Sequence, residues 1–388
     1  MPPLFLQPTV VASSVRAVAE LLTCCVFGVT AAKKGVLTPT NVSALSQIVY
    51  NIFLPSLLLV NVAETAISQP LSTLLPIPLF AWAQIFIGYK IARLTMKVLR
   101  IEPTTEEGRE VQVCSAFGNS GILPLLFVNA LFRAHPDPTV LPRAIAYISF
   151  FLMGWSPAFW TVGYRTLTTG IEPENEEEPA LAAGSTATAA GSQATVAAAG
   201  AQALSKAQTA LASPALKRIL SPPIVACLVG LTVGISSPLR WLLTDSNAPL
   251  AFLWNSIKVL AAAYTPSGIL VLAGSLANAK PQNIWTKATA KKIAAISMAR
   301  WLLLPIATGA LLLGCVKARI VPRDPALLFV LMMEAAMPPA QNSVIILQVS
   351  GLRNAAGRIA RSLCIFYLVG VLPISALLTV FLQACGLS

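Results

Sequence analysis

The chain has 388 residues, 56% of them hydrophobic and only 11% charged, with a mean hydropathy of +0.73. Soluble domains are about a quarter charged, so this composition excludes a water-soluble globular protein and indicates a polytopic membrane protein. A net charge of +12 does not point to nucleic acid, because most basic residues flank apolar runs, as loop charge does in membrane proteins.

Met1 to Pro8 lacks the basic start of a cleavable leader, so the first apolar run is expected to act as the insertion signal. Ten runs are long and apolar enough to cross a bilayer, at about 12–32, 43–66, 72–98, 111–132, 141–168, 217–237, 250–277, 291–316, 326–349 and 358–384. Between the fifth and sixth, the acidic Glu172–Pro179 run and an Ala/Gly/Ser/Thr-rich stretch carry too few large apolar side chains to repay ordering entropy. Residues 170–213 are therefore expected to be a disordered cytosolic linker, with room for a short Ala-rich helix near 197–211. Arg133, Arg143, Arg240, Lys317, Arg319 and Arg323 are the only basic residues in one set of alternate loops, and far more lie in the other. The positive-inside rule then puts both termini away from the cytosol.

The two halves repeat. Pro55-Ser56-Leu57 answers Pro266-Ser267-Gly268, Asn119-Ser120 answers Asn342-Ser343, and Gly154-Trp155-Ser156-Pro157 answers Gly370-Val371-Leu372-Pro373, in the same order and at separations of 211, 223 and 216 residues. Five spans per half is an odd number, so the second half enters from the opposite side, giving a 5+5 inverted repeat. The expected fold is all-α, ten transmembrane helices with two crossed, Pro-broken ones.

The breaks are the candidate site. Pro338 and Pro339 remove two amide donors inside the ninth span, and Gly118, Gly121 and Pro124 interrupt the fourth. A broken helix survives in hydrocarbon only where protein or a polar cavity satisfies it. Asn119, Ser120, Gln341 and Asn342 stand at the two breaks as candidate substrate ligands. Half-helix N-termini meeting there can hold an anion without a fixed positive charge, although amides at such positions also serve as plain helix–helix glue. Arg300 and Glu334 are candidate charged members: they pair with each other, or Arg300 biases the site toward carboxylates, and a buried Glu334 is a candidate proton carrier.

Other chemistries lack their residues. The seven cysteines include no CxxC and most fall in apolar runs, and the single histidine, His135, lies in a loop, so neither a metal site nor a Ser–His triad is expected. No nucleotide-binding GxxxxGK[ST] loop, acidic pair at a break or nucleophile–base constellation occurs; no cofactor, nucleic-acid partner or enzymatic activity is expected.

Four motifs carry a family resemblance: Phe53-Leu54-Pro55-Ser56-Leu57 with Asn61-Val62-Ala63-Glu64-Thr65; Gly118-Asn119-Ser120-Gly121-Ile122-Leu123-Pro124-Leu125; Arg300-Trp301-Leu302-Leu303-Leu304-Pro305; and Met337-Pro338-Pro339-Ala340-Gln341-Asn342. The chain resembles the PIN-LIKES branch of the auxin efflux carrier family over nearly its whole length outside the linker. The resemblance implies a sodium/proton-antiporter-like elevator. Its scaffold would be helices one and two (residues 1–66) and six and seven (214–279); its transport part would be helices three to five (67–169) and eight to ten (280–388). It implies indole-3-acetic acid and similar amphipathic carboxylates as substrates, bound at Asn119, Pro338 or Pro339, and Gln341. It also implies a homodimer through scaffold helices two and seven and a place in the endoplasmic reticulum membrane, with the plasma membrane as alternative. Two positions depart from the related PIN carriers: Gly118 stands where they have proline, and Glu334 where a neutral side chain is expected. A carrier of another acid (bile-acid-like or dicarboxylate) and a receptor that binds an anion without moving it are the rival readings.

Overall fold

The computed structural model describes residues 8–133, 135–170, 222–245, 247–279 and 286–387. The expected linker, beyond Gly170, lies outside the described residues, as does the helix expected near 197–211. In chain order the helices are α1 (Pro8–Lys33), α2 (Pro39–Ser68), α3 (Leu71–Leu99), α4 (Glu106–Ala116), α5 (Ile122–Phe132) and α6 (Val140–Thr168). After the linker come α7 (Pro222–Ile235), α8 (Ser237–Leu243), α9 (Ala251–Ala277), α10 (Lys287–Lys317), α11 (Pro325–Ala336), α12 (Asn342–Val349) and α13 (Arg353–Cys385).

Every apolar run expected to span is helical where described, apart from short breaks. Among those residues, six helices (α2, α3, α6, α9, α10 and α13) are long and apolar enough to cross a membrane, or seven if α7 and α8, bent by 99°, form one span. The fourth and ninth runs each divide into two short helices. Helix starts extend beyond the apolar runs where polar residues find partners. Thus α4 begins at Glu106 and α13 at Arg353, because Glu106 and Arg358 pair across the two.

Local chemistry fixes the ends. Thr105 caps α4 by accepting from Gly108 N at 3.1 Å, and Asp324 Oδ1 caps α11 by accepting from Ala326 N and Leu327 N at 2.8 and 3.1 Å. Pro39 and Pro325 stand at the first turn of α2 and α11, where a missing amide leaves no bond unmade. Inside the long helices prolines have another effect. Turns of π-helix at Val49–Phe53 and Ala299–Leu303 come just before Pro55 and Pro305, and one at Phe159–Gly163 just after Pro157. Before Pro55 and Pro305, widening the turn relieves the clash of the ring with the carbonyl one turn back.

Helix α7 packs along the second half of α2, where Gly230 and Gly234 meet the main chain of Leu59 and Ala63 too closely for any side chain. Helix α9 lies against α1 and α2. A second group joins α3, α4 and α6 to α10, α11 and α13, with α11 against α6 and α4 against α10. Phe27, Trp82, Phe86, Phe252, Val259, Ile306 and Leu372 point outward, as on a lipid-facing surface, while α11 and α12 are buried almost throughout.

Candidate functional site

The two interrupted spans cross. Residues Phe117–Gly121 between α4 and α5, and Met337–Gln341 between α11 and α12, are not helical. They run antiparallel as a single bridge between Gly118 and Pro339, with Asn119 N donating to Pro338 O at 2.7 Å and Ala340 N donating to Phe117 O at 3.2 Å. Proline before the bridge forces Met337 into extended backbone (φ −61°, ψ 141°) and so ends α11. The exchange pairs main-chain groups that would otherwise stand bare in hydrocarbon. Phe117 anchors the first strand in an aromatic cluster, edge-on to Tyr89, Trp155 and Phe159.

Four half-helix ends converge here, and they are treated differently. The two C-terminal ends share Arg300. Its Nε donates to Met337 O at 2.7 Å, one terminal nitrogen to Glu334 O at 3.0 Å and the other to Ser115 O at 3.4 Å, and the residue is 1% exposed. A cation at helix C-termini opposes the dipole and satisfies freed carbonyls. The expected side-chain pair with Glu334 is not what the guanidinium makes: neither carboxylate oxygen of Glu334 has a hydrogen-bond partner. The freed carbonyls of α4 and α11 need donors, and the π-turn at Ala299–Leu303 presents Arg300 to them.

Gly118 follows from the same contact. A Cβ at this position would collide with the Arg300 guanidinium, so the arginine at the crossing requires glycine there. Gly118→Ala is expected to displace the guanidinium and lower stability by about 1–3 kcal/mol, the usual range for overpacking. A thermal melt in detergent superimposing on wild type would contradict this.

The two N-terminal ends are left open. Helices α5 and α12 start at Gly121 and Gln341 with no side-chain cap. Around them lie Asn119, Ser120, Gln341, Asn342 and Ser343, all buried. Asn119 Nδ2 donates to the Tyr367 hydroxyl at 3.3 Å, and the Tyr264 hydroxyl donates to Asn342 Oδ1 at 2.8 Å. That bond commits the Asn342 carbonyl and leaves its amide hydrogens as what it offers a ligand. Ser120 turns back to Gly118 O at 3.4 Å. Both polar atoms of the Gln341 amide, and the Ser343 hydroxyl, are buried without a partner. A Cβ on Gly268 of α9 would lie 3.0 Å from Gln341 Nε2, whereas one on Gly121 would meet nothing, so open space adjoins the first break. Pro124 sits in the first turn of α5. The arrangement therefore holds unused donors and open helix N-termini, which suits a small anion.

Sequence reasoning passed over Tyr264 and Tyr367, although Tyr264 stands two residues before the repeated Pro266-Ser267-Gly268 motif. It also passed over a set of ion pairs. Lys292 Nζ of α10 meets Glu110 Oε2 of α4 at 2.6 Å, both side chains under 9% exposed, and Arg358 of α13 pairs with Glu106. At the far end Arg143 of α6 meets Asp324 of α11 at 2.7 Å, with the Tyr147 hydroxyl donating to the same oxygen at 2.9 Å. In the adjoining loop the Thr139 hydroxyl and amide hold the Asp137 carboxyl below the usual range. Glu106 and Asp324 stand 218 residues apart, Arg143 and Arg358 215. Each pair thus ties the start of one broken span to the start of the last span of the other half.

Residues 13–379 match the membrane transport protein family. The chain belongs to that family. Among similar proteins of Arabidopsis thaliana, Protein PIN-LIKES 1 is 26% identical over 316 residues, covering 79% of this chain and 66% of that protein. Protein PIN-LIKES 5 is 24% identical over 362 residues, covering 88% of this chain and 89% of its own length. An uncharacterized transporter of Schizosaccharomyces pombe is 24% identical over 316 residues, covering 66% of this chain and 69% of that protein. The resemblance to the PIN-LIKES branch read from the four motifs is borne out. As a member of the membrane transport protein family, this chain is a multi-pass integral membrane protein of a transporter lineage.

Proposed function

We propose that the chain is a secondary carrier of small amphipathic organic anions, with auxin-like carboxylates such as indole-3-acetic acid as its substrate class. The observation that carries this reading is the crossing of two broken spans around the buried, unpartnered Gln341 amide and two uncapped helix N-termini. A carboxylic acid with a pKa near 4 to 5 is ionised at cytosolic pH and crosses lipid poorly, so it needs a protein path. The carboxylate would sit against Asn119, Ser120, Gln341 and Asn342, and an apolar ring against Leu123, Val344 and Ile345.

Ten passages in a 5+5 inverted repeat complete the proposal, each broken span counted once. The two symmetric ion pairs support it, because they relate the halves at the same separation as the sequence repeats. Helices α1, α2, α7 and α9 are the proposed scaffold, and α3 to α6 with α10 to α13 the part that shifts, elevator-like, across the membrane. A homodimer would form through α2 and α9, the latter presenting Phe252 and Val259 outward. Both termini would lie away from the cytosol, in the endoplasmic reticulum membrane.

Radiolabelled indole-3-acetate flux into proteoliposomes is the test. Asn119→Ala and Asn342→Ala are each expected to reduce flux about tenfold or more, in line with about 1.5–3 kcal/mol for a hydrogen bond to a charged group. Binding without flux would identify an anion receptor instead. Flux of another acid with none of indole-3-acetate would reassign the substrate.

A further inference from the structure

A groove of about 440 Å³ opens on the outer surface between α3, α6 and α7. Trp82, Phe86 and Tyr89 form one wall, Pro157 and Thr161 the other, and Ile224 of α7 closes one end. Pro157 and the π-turn at Phe159–Gly163 lie on the stretch of α6 that lines it.

Every polar group on the wall is already satisfied. The Thr161 hydroxyl donates to Pro157 O at 2.6 Å, Trp82 Nε1 donates to Gly154 O at 2.7 Å, and the Tyr89 hydroxyl is 3.4 Å from that of Thr166. The groove therefore offers a solute no hydrogen bond and suits a hydrocarbon chain. Its two long helices continue past it toward the basic side of the protein. Arg93 is one turn beyond Tyr89 and Arg165 one turn beyond Thr161, so each continues the face that lines the groove. Both are exposed, and neither guanidinium has a recorded partner among the described residues. Lys90, beside them, lays its ammonium over the Phe86 ring at 5.1 Å.

We infer that this groove is a binding site for an anionic phospholipid, one acyl chain along Trp82, Phe86 and Pro157 and the phosphate held between Arg93 and Arg165. Charge complementarity selects the occupant: a neutral lipid would fill the groove without using either arginine. A lipid lodged there touches α3 and α6 on one side and α7 on the other, so it bridges the two helix groups. The site does not depend on what the protein transports.

Native mass spectrometry of the full-length chain, released from detergent after incubation with equal amounts of phosphatidylglycerol and phosphatidylcholine, tests this. One basic residue near a membrane surface contributes about 1 kcal/mol toward an anionic lipid, so two predict a preference of about thirtyfold. The Arg93→Gln/Arg165→Gln variant should bring the ratio near parity without changing the melting temperature, since both side chains are exposed. Ala158→Phe, which fills the groove from a half-exposed position, should reduce retention of both lipids. Equal retention of the two lipids by wild type, an unchanged preference in the double variant, or full retention by Ala158→Phe would each overturn the inference.

Discussion

Arg300→Met should be among the most damaging single substitutions in the chain, and Arg300→Lys should rescue little of the loss. Methionine keeps the volume of the stem but leaves the carbonyls of Ser115, Glu334 and Met337 without their donor, in a site that is 1% exposed. An orphaned buried carbonyl costs about 1–3 kcal/mol, so three of them threaten most of the stability of an ordinary domain. Lysine restores the charge as a point, whereas the contacts run in three directions to two different helices, which needs the planar fork. The expected order in a detergent melt is wild type, then lysine, then methionine, with methionine largely aggregated. On the proposed reading Arg300 is a positioning residue: it closes the C-terminal half-helix ends and would leave the open N-terminal ends for the anion. In the lysine variant, whatever folds should therefore bind indole-3-acetate more weakly than its loss of stability explains. Equal melting of the methionine variant and wild type would refute the role.

Much of this was legible from residue order alone. Pro338-Pro339 and Gly118-Asn119-Ser120-Gly121 mark the two interruptions because proline and glycine act locally, through a missing amide and a missing Cβ. What each charged side chain touches was not legible. Arg300 and Glu334 look like partners in a list of buried charges, yet the guanidinium goes to main-chain carbonyls that exist only once two helices have ended beside it. Lys292 escaped notice because it sits among Lys287 and Lys291 and reads as loop charge; only the packing of α4 on α10 shows it buried against Glu110. Tyr264 and Tyr367 are ordinary aromatic residues of apolar helices until their hydroxyls are found on the crossover amides. Segment ends were blurred for a related reason: Glu106 and Arg358 extend α4 and α13 past the apolar runs by pairing with each other.

The buried Glu110–Lys292 pair carries the other large effect. Lys292→Met alone leaves a carboxylate 7% exposed whose remaining ion pair among the described residues is with Arg358 Nε at 3.6 Å. Breaking a buried pair from one side costs about 3–5 kcal/mol, while replacing both members with apolar groups is often neutral or stabilising. Glu110→Leu/Lys292→Met is accordingly expected to melt close to wild type, well above either single variant. The partly exposed pair at the far end behaves differently. Arg143 and Asp324 are 27% and 19% exposed, and Asp324 keeps the Tyr147 hydroxyl and two α11 amides when the arginine is removed. Arg143→Met should then cost only about 1 kcal/mol, as for a solvent-screened pair. A double variant at 110 and 292 as unstable as Lys292→Met would mean that the lysine acts through something other than Glu110. If instead the three melts fall in the expected order, the charges serve to fix α4 against α10 rather than to hold the fold up. On the proposed elevator reading, such a tie would keep the broken span in register with its neighbour without touching the crossing.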